Sequence, residues 1–234
     1  MSWIKILQLL LVSCIVVQSQ ASSFVSDRIV YENYRRMLQR DIKLPTGKVV
    51  TFDVLDQEHE SVLVFVWHTA TSTTTLIKEF QPGKWWHTNK QMTDCTCSHD
   101  IPSSISGLNE MGLGIVAGMY EPTKHQSPLE AAQFELEEEA HLEGGEWSPL
   151  LCRNSTVGMD KYSTNRCHAF LVVDPTPSLS PRPLDPEEFI EIVKNVPLDL
   201  VFELMSSGQL TIISSYTVLM AIEKLRALGL VQQL

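Results

Sequence analysis

Residues 127–147 read SPLEAAQFELEEEAHLEGGEW, and the reading of this stretch decides the fold. Ser127 can cap a helix, Pro128 suits its first turn, and Glu130 stands three residues after the cap, the pattern of a capping box. Leu129, Ala132, Leu136 and Ala140 follow at spacings of three or four and form the buried stripe of an amphipathic helix. Gly144 and Gly145 lie beyond its end. Glu135, Glu138 and Glu139 occupy positions i, i+3 and i+4, so their carboxylates converge on one face, while Glu137 points elsewhere. Like charges held together raise one another's pKa, and late in a helix they oppose its dipole. Two readings follow from the residues alone: a solvated acidic face, or a set of hard oxygens suited to Mg²⁺ or Mn²⁺.

The rest of the chain bounds the choice. Its 234 residues are 44% hydrophobic and 20% charged, which is ordinary globular composition. The net charge of -10 disfavours nucleic acid as a partner, because no basic patch releases counterions from phosphates. A small phosphorylated ligand stays compatible where a divalent metal supplies positive charge. Residues 1–21 carry Lys5, an apolar run over 6–17 and the small-x-small sequence Ser19-Gln20-Ala21, the pattern of a signal peptide. A used signal would place the chain in the secretory pathway or outside the cell, with Asn154 open to glycosylation; otherwise the expectation is cytoplasmic. Cys152 and Cys167 bracket a polar loop, and a disulfide and two free thiols both remain open.

Along the chain, 28–40 reads as a short helix or an irregular lead-in. The turn Pro45-Thr46-Gly47 reads as the bend of a hairpin. SVLVFVW (61–67) is a buried-strand run, with TTTLIKEF (73–80) expected as its hairpin partner. Residues 84–108 lack either period and read as an insertion, or as retained non-coding sequence. They include Trp85 and Trp86, and His87, Cys95, Cys97 and His99 overlap them as a weak zinc pattern. LGIVAGMY (113–120) reads as one strand, RCHAFLVVDP (166–175) and EEFIEIVKNVPL (187–198) each contain another, and two amphipathic helices close the chain near Gly208 and Gly229. Strands on both sides of a central helix, with helices at the end, describe an α/β or α+β sandwich and not a doubly wound parallel sheet.

Ala117-Gly118, Ser127-Pro128, Ala131-Ala132 and ELEEE (135–139) together resemble the Nudix box, G-x5-E-x7-R-E-U-x-E-E-x-G-U, where U is aliphatic. The matching positions are Gly118, Glu135, Leu136, Glu138, Glu139 and Leu142. TLIKEFQPG before the box and EEFIEIVKNVPLDLVFELMSSGQL after it resemble the flanks in ADP-ribose and ADP-sugar pyrophosphatases, so the resemblance spans roughly 27–230. The departures are specific. Seven residues, not five, separate Gly118 from Gln126. Gln126 replaces the first glutamate, Phe134 the arginine thought to hold a catalytic glutamate, and His141 the second glycine. Gln81 stands where relatives often carry an arginine.

The resemblance implies a Nudix-type α/β/α sandwich over 22–234 with a mixed sheet and a long inserted loop. It implies Mg²⁺- or Mn²⁺-dependent hydrolysis of the pyrophosphate bond of a nucleoside diphosphate linked to another moiety, such as ADP-ribose or an ADP-sugar. Glu135, Glu138 and Glu139 would hold the metal, with the backbone carbonyl around Ala117–Gly118, and Glu138 would be catalytic. A further base is expected from Glu187 or Glu188. The partners are then a nucleotide-sugar substrate, no nucleic acid, and a second copy of the chain as an open expectation. The alternative is a catalytically impaired Nudix domain that binds a nucleotide or a partner, which Phe134 and Gln126 favour.

Overall fold

The structure is a computed structural model that describes residues 21–33, 35–82, 111–152, 155–186 and 188–232. Expectations for the signal segment 1–20, the zinc pattern, Trp85, Trp86, Asn154 and Glu187 lie outside the described residues. Within them, no helix is long and apolar enough to cross a membrane.

Contacts divide the chain into two units. The first is an antiparallel meander of β1 (Ser23–Glu32), β2 (Arg36–Lys43) and β3 (Val49–Asp56). The turn expected at 45–47 joins β2 to β3, with Gly47 at φ 82, a conformation open to glycine at no steric cost. Residues 28–40, expected as a helix or lead-in, are instead parts of β1 and β2. The reason is legible in the register. It shifts between Phe24 and Ser26 and between Ile29 and Tyr31, so the apolar residues do not recur at the period of two that marks a strand. Every side chain of β1 is exposed, Phe24, Ile29 and Tyr31 included.

The second unit, from Gln57 on, is layered. One mixed sheet runs in the order β10 (Val157–Gly158), β11 (Arg166–Val173), β4 (Glu60–Trp67), β7 (Val116–Tyr120), with β9 (Glu146–Pro149) also on β11. β11 lies parallel to β4, and β7 antiparallel to it. A second sheet holds β13 (Ile190–Pro197), β5 (Thr73–Phe80) and β6 (Met111–Gly114). A two-stranded ladder pairs β8 (Leu142–Glu143) with β12 (Thr176–Pro177).

β4 shows why the architecture has three layers. Leu63, Phe65 and Trp67 enter one core cluster with α2 (Leu198–Ser206) and α3 (Ile212–Ala227). Val62, Val64 and Val66, on the opposite face, enter the other with α1 (Pro128–Ala140). A strand covered by helices on both faces reads as an unbroken apolar run. Each such side chain contributes about 1.5–3 kcal/mol on burial. The expected α/β/α sandwich with a mixed sheet is therefore the observed one.

Two strand expectations are corrected. β5 is a strand over 73–80 but not a ladder partner of β4: the isolated bridge His68↔Thr73 closes the turn between them, and β5 pairs with β13 and β6. The stretch 113–120 is two strands in two sheets, broken at Ile115, which is itself buried. Cys152 and Cys167 are both free, the first exposed and the second buried.

The strand ends also bear on the insertion. Phe80 and Met111 are direct partners across the β5–β6 ladder. A short turn can therefore span the gap that the chain crosses through 81–110. Joining Gly83 to Asn109 is expected to leave the fold intact and the melting temperature no lower, since closure entropy grows only slowly with loop length. Thermal unfolding of the deletion variant checks this; a variant that unfolds would make the segment a working part of the domain.

Candidate metal and phosphate site

α1 forms as its ends dictate. Ser127 is extended at φ -157 and its hydroxyl accepts from the Glu130 N–H at 3.2 Å. The Glu130 carboxylate accepts in turn from the Gln126 N–H. The helix stops at His141, left-handed at φ 56, where glycine would be the less strained residue. Ala131, Ala132, Leu136 and Ala140 are buried, and Leu129 is packed beside them.

This packing lays the acidic face of α1 on β7. Glu139 is 3% exposed, and its carboxylate accepts from the Ala117 N–H at 2.8 Å. Glu135 accepts from the Met119 N–H. Alternate residues of an extended strand thus hand two donors to two glutamates one helical turn apart. Gly118 lies between them, and a Cβ there would stand 1.8 Å from Glu135 Oε1. Only glycine lets the carboxylate approach this backbone. Gly118→Ala is expected to push the Glu135 carboxylate aside, because the atom in the way is the end of a flexible side chain. The fold should survive, with activity reduced on the order of a hundredfold. Steady-state kinetics alongside a thermal melt tests this; full activity would remove Glu135 from the site.

The electrostatics are those of crowded, buried carboxylates. Burial pushes the Glu135 pKa up to about 8, with the Glu138 and Glu188 charges adding to it. Glu139 is raised well above the usual range by burial and then by Glu135, against the opposing Ala117 N–H. Glu138 is also raised, by partial burial, while the Arg182 guanidinium pulls it the other way. Glu188, one of the two expected bases, sits within electrostatic reach of all three helix glutamates.

Three members of the cluster escaped the sequence reading. Asp185 acts on Glu135 and Glu138, and Glu79 of β5 acts on Glu139. Arg182 stacks on Phe134, with its guanidinium carbon 3.5 Å from the ring centroid, and its Nε donates to Glu137 at 3.1 Å. Asp185 and Arg182 lie in a proline-rich loop that has no period, and only the fold brings it to α1. Glu79 carried a weak signal: it is the acidic residue at the end of β5, where Gln81 Nε2 donates to it at 3.0 Å.

Among the described residues, no three His, Cys, Asp or Glu side chains stand in the close arrangement of a formed metal-ion site. The chemistry of the donor set nevertheless fits a hard divalent cation. Glu135, Glu138 and Glu139 offer carboxylate oxygens on one face, and burial penalises their charge in a way that a bound cation relieves. A cavity of about 450 Å³ lies beside the start of α1, lined by Leu129, Trp147, Pro149, His168 and Phe170 among others, and none of the clustered carboxylates lines it.

Neither a protein-family model nor a curated protein matches the sequence. The solved structures include a similar one, described as the crystal structure of an ADP compounds hydrolase. It aligns with a TM-score of 0.68 and 17% identity, over 91% of this chain and 98% of that one. The two share a fold. The alignment covers nearly all of both chains, so the likeness is to the whole architecture and not to one sheet of it.

Proposed function

We propose that the chain is a divalent-metal-dependent hydrolase of the Nudix type. It would cleave the pyrophosphate bond of a nucleoside diphosphate linked to another moiety, with ADP-ribose or an ADP-sugar as the substrate class. The observation that carries this reading is the set Glu135, Glu138 and Glu139, held on β7 through the Ala117 and Met119 N–H groups, with Gly118 clearing the space between. The shared fold with a protein described as an ADP compounds hydrolase supports the substrate class.

Glu135, Glu138 and Glu139 would hold Mg²⁺ or Mn²⁺, with the carbonyl around Ala117–Gly118. Bound there, the cation would offset the charge of the diphosphate and lower the pKa of a water. The chain's own residues do the rest. The β7 N–H groups fix the orientation of two carboxylates. Glu188, whose charge acts on all three, would take a proton from an attacking water, and Glu138, the least buried of the three, is the other candidate for that role. The exposed apolar side chains of β1 support a second copy of the chain as partner.

The alternative is a Nudix-type domain that binds a nucleotide or partner without turnover. Phe134 and Gln126, in place of the box's arginine and first glutamate, favour it. A screen of nucleoside diphosphate compounds with Mg²⁺ and Mn²⁺, read as newly exposed phosphomonoester, separates the two. The hydrolase reading expects metal-dependent release from ADP-ribose or an ADP-sugar. Binding of these compounds without release would establish the alternative.

A further inference from the structure

The cluster sets a problem that its own residues leave unsolved. A diphosphate must approach a surface that carries Glu137, Glu138, Asp185 and Glu188, with Glu135 half-buried and Glu139 buried behind it, on a chain of net charge -10. Bound metal offsets part of this repulsion. At the end of β5 the chain offers Gln81, a neutral side chain already bonded to Glu79. Lys124, which also feels Glu138, is exposed and paired with Glu121 at 2.8 Å.

Arg182 is placed differently. One face of its guanidinium lies on the Phe134 ring, and its Nε is bonded to Glu137. No bond to either terminal nitrogen is found among the described residues. Phe134 and Glu138 are one helical turn apart, and the stacked guanidinium is within electrostatic reach of the Glu138 carboxylate, whose charge it opposes. The backbone is also constrained. Arg182 sits between Pro181 and Pro183, one ring fixing the preceding φ and the other restricting Arg182 to extended conformations. A guanidinium held by ring, carboxylate and backbone has little freedom left to lose when it meets a phosphate, and its planar fork matches two phosphate oxygens.

We propose that Arg182, seated on Phe134 and anchored by Glu137, is a substrate-binding residue that takes a phosphate of the nucleoside diphosphate at the edge of the α1 carboxylate cluster. Phe134 then has a defined role as the platform for a guanidinium that the loop supplies. This rests on the hydrolase reading for the substrate class, and it adds the residue that recognises the phosphate.

The test uses Arg182→Gln, Arg182→Lys and Phe134→Leu in the full chain, with ADP-ribose as probe. Arg182→Gln is expected to raise KM, and to weaken ADP-ribose binding measured by calorimetry in EDTA, by roughly 10- to 100-fold, the size of a lost charge-assisted pair. Its kcat should stay within about threefold of the parent's, a change small beside the loss from removing a catalytic group. Mn²⁺ affinity should be unchanged or tighter, because a neighbouring cation has been removed. Lysine should restore part of the loss, as a point charge without the fork, and Phe134→Leu should cost less than Arg182→Gln. Parental KM and ADP-ribose affinity in a folded Arg182→Gln variant would overturn the proposal. So would a loss confined to kcat or Mn²⁺ affinity, which would make Arg182 a positioning residue for Glu138. A parent that binds ADP-ribose without cleaving it would sink the hydrolase reading alone, and the binding measurements would still decide the role of Arg182. A parent that neither binds nor cleaves it would overturn both.

Discussion

Glu138→Gln and Glu139→Gln are each expected to lose on the order of a hundredfold or more in turnover, because each keeps the shape of a ligand and removes the charge that holds a metal in place. The two variants should differ in stability. Glu139 is 3% exposed and its pKa is driven well up by burial, so at pH 8 the fold carries either a desolvated charge or a proton taken up against the bulk. Glutamine removes that cost and can still accept from the Ala117 N–H. Glu139→Gln should therefore melt no lower than the parent at pH 8 while losing activity. Glu138 is more open, and its replacement should leave the melting temperature nearly unchanged. Kinetics and calorimetric melts on the same preparations check both halves. Parental turnover in both variants would remove Glu138 and Glu139 from the catalytic metal site.

Metal-free protein is expected to lose stability as pH rises from about 5 to 9. The sign follows from the direction of the shifts. Glu135 and Glu139 bind protons more tightly in the fold than in the unfolded chain, Glu135 with a pKa of about 8 against the ordinary glutamate value of 4.5. Their contribution is fully present below the unfolded pKa and is lost as pH climbs through the folded one. Allowing for screening and for coupling between the two, the melting temperature in EDTA should fall on the order of 5–10 °C across that window. Mn²⁺ should reverse most of the fall at pH 8.5, where the carboxylates are ionised, and little of it at pH 5.5, where protons compete. Glu139→Gln should flatten the slope. A melting temperature independent of pH and of Mn²⁺ would contradict the burial of these charges.

How far the sequence revealed this arrangement differs from element to element. α1 was legible because a cap, a proline and a stripe are local signals, and all three are present between Ser127 and Ala140. The convergence of Glu135, Glu138 and Glu139 followed from helical spacing alone. β4 was legible as a strand because both its faces are buried, but its neighbours were not. Pairing is a property of the whole sheet, and the chain leaves one sheet for the other over residues 68–72. The break at Ile115 was hidden for the same reason: a buried apolar residue reads alike whether it continues a strand or crosses between sheets. Arg182 and Asp185 were beyond sequence reading, since each lies over 40 residues from the helix glutamates in a loop without periodicity. The resemblance marked Phe134 as a lost arginine, and the structure fills the space above its ring with an arginine from elsewhere in the chain.

The central claim is that the acidic face of α1 gathers a divalent cation, and the most direct test is a calorimetric titration of EDTA-treated protein with Mn²⁺ at pH 8, beside a variant in which Glu135, Glu138 and Glu139 are all glutamine. The account predicts saturable binding by the parent, with protons released as Glu135 and Glu139 give up theirs, and loss of that binding in the variant. Equal Mn²⁺ binding by both proteins, or none by a folded parent, would contradict it.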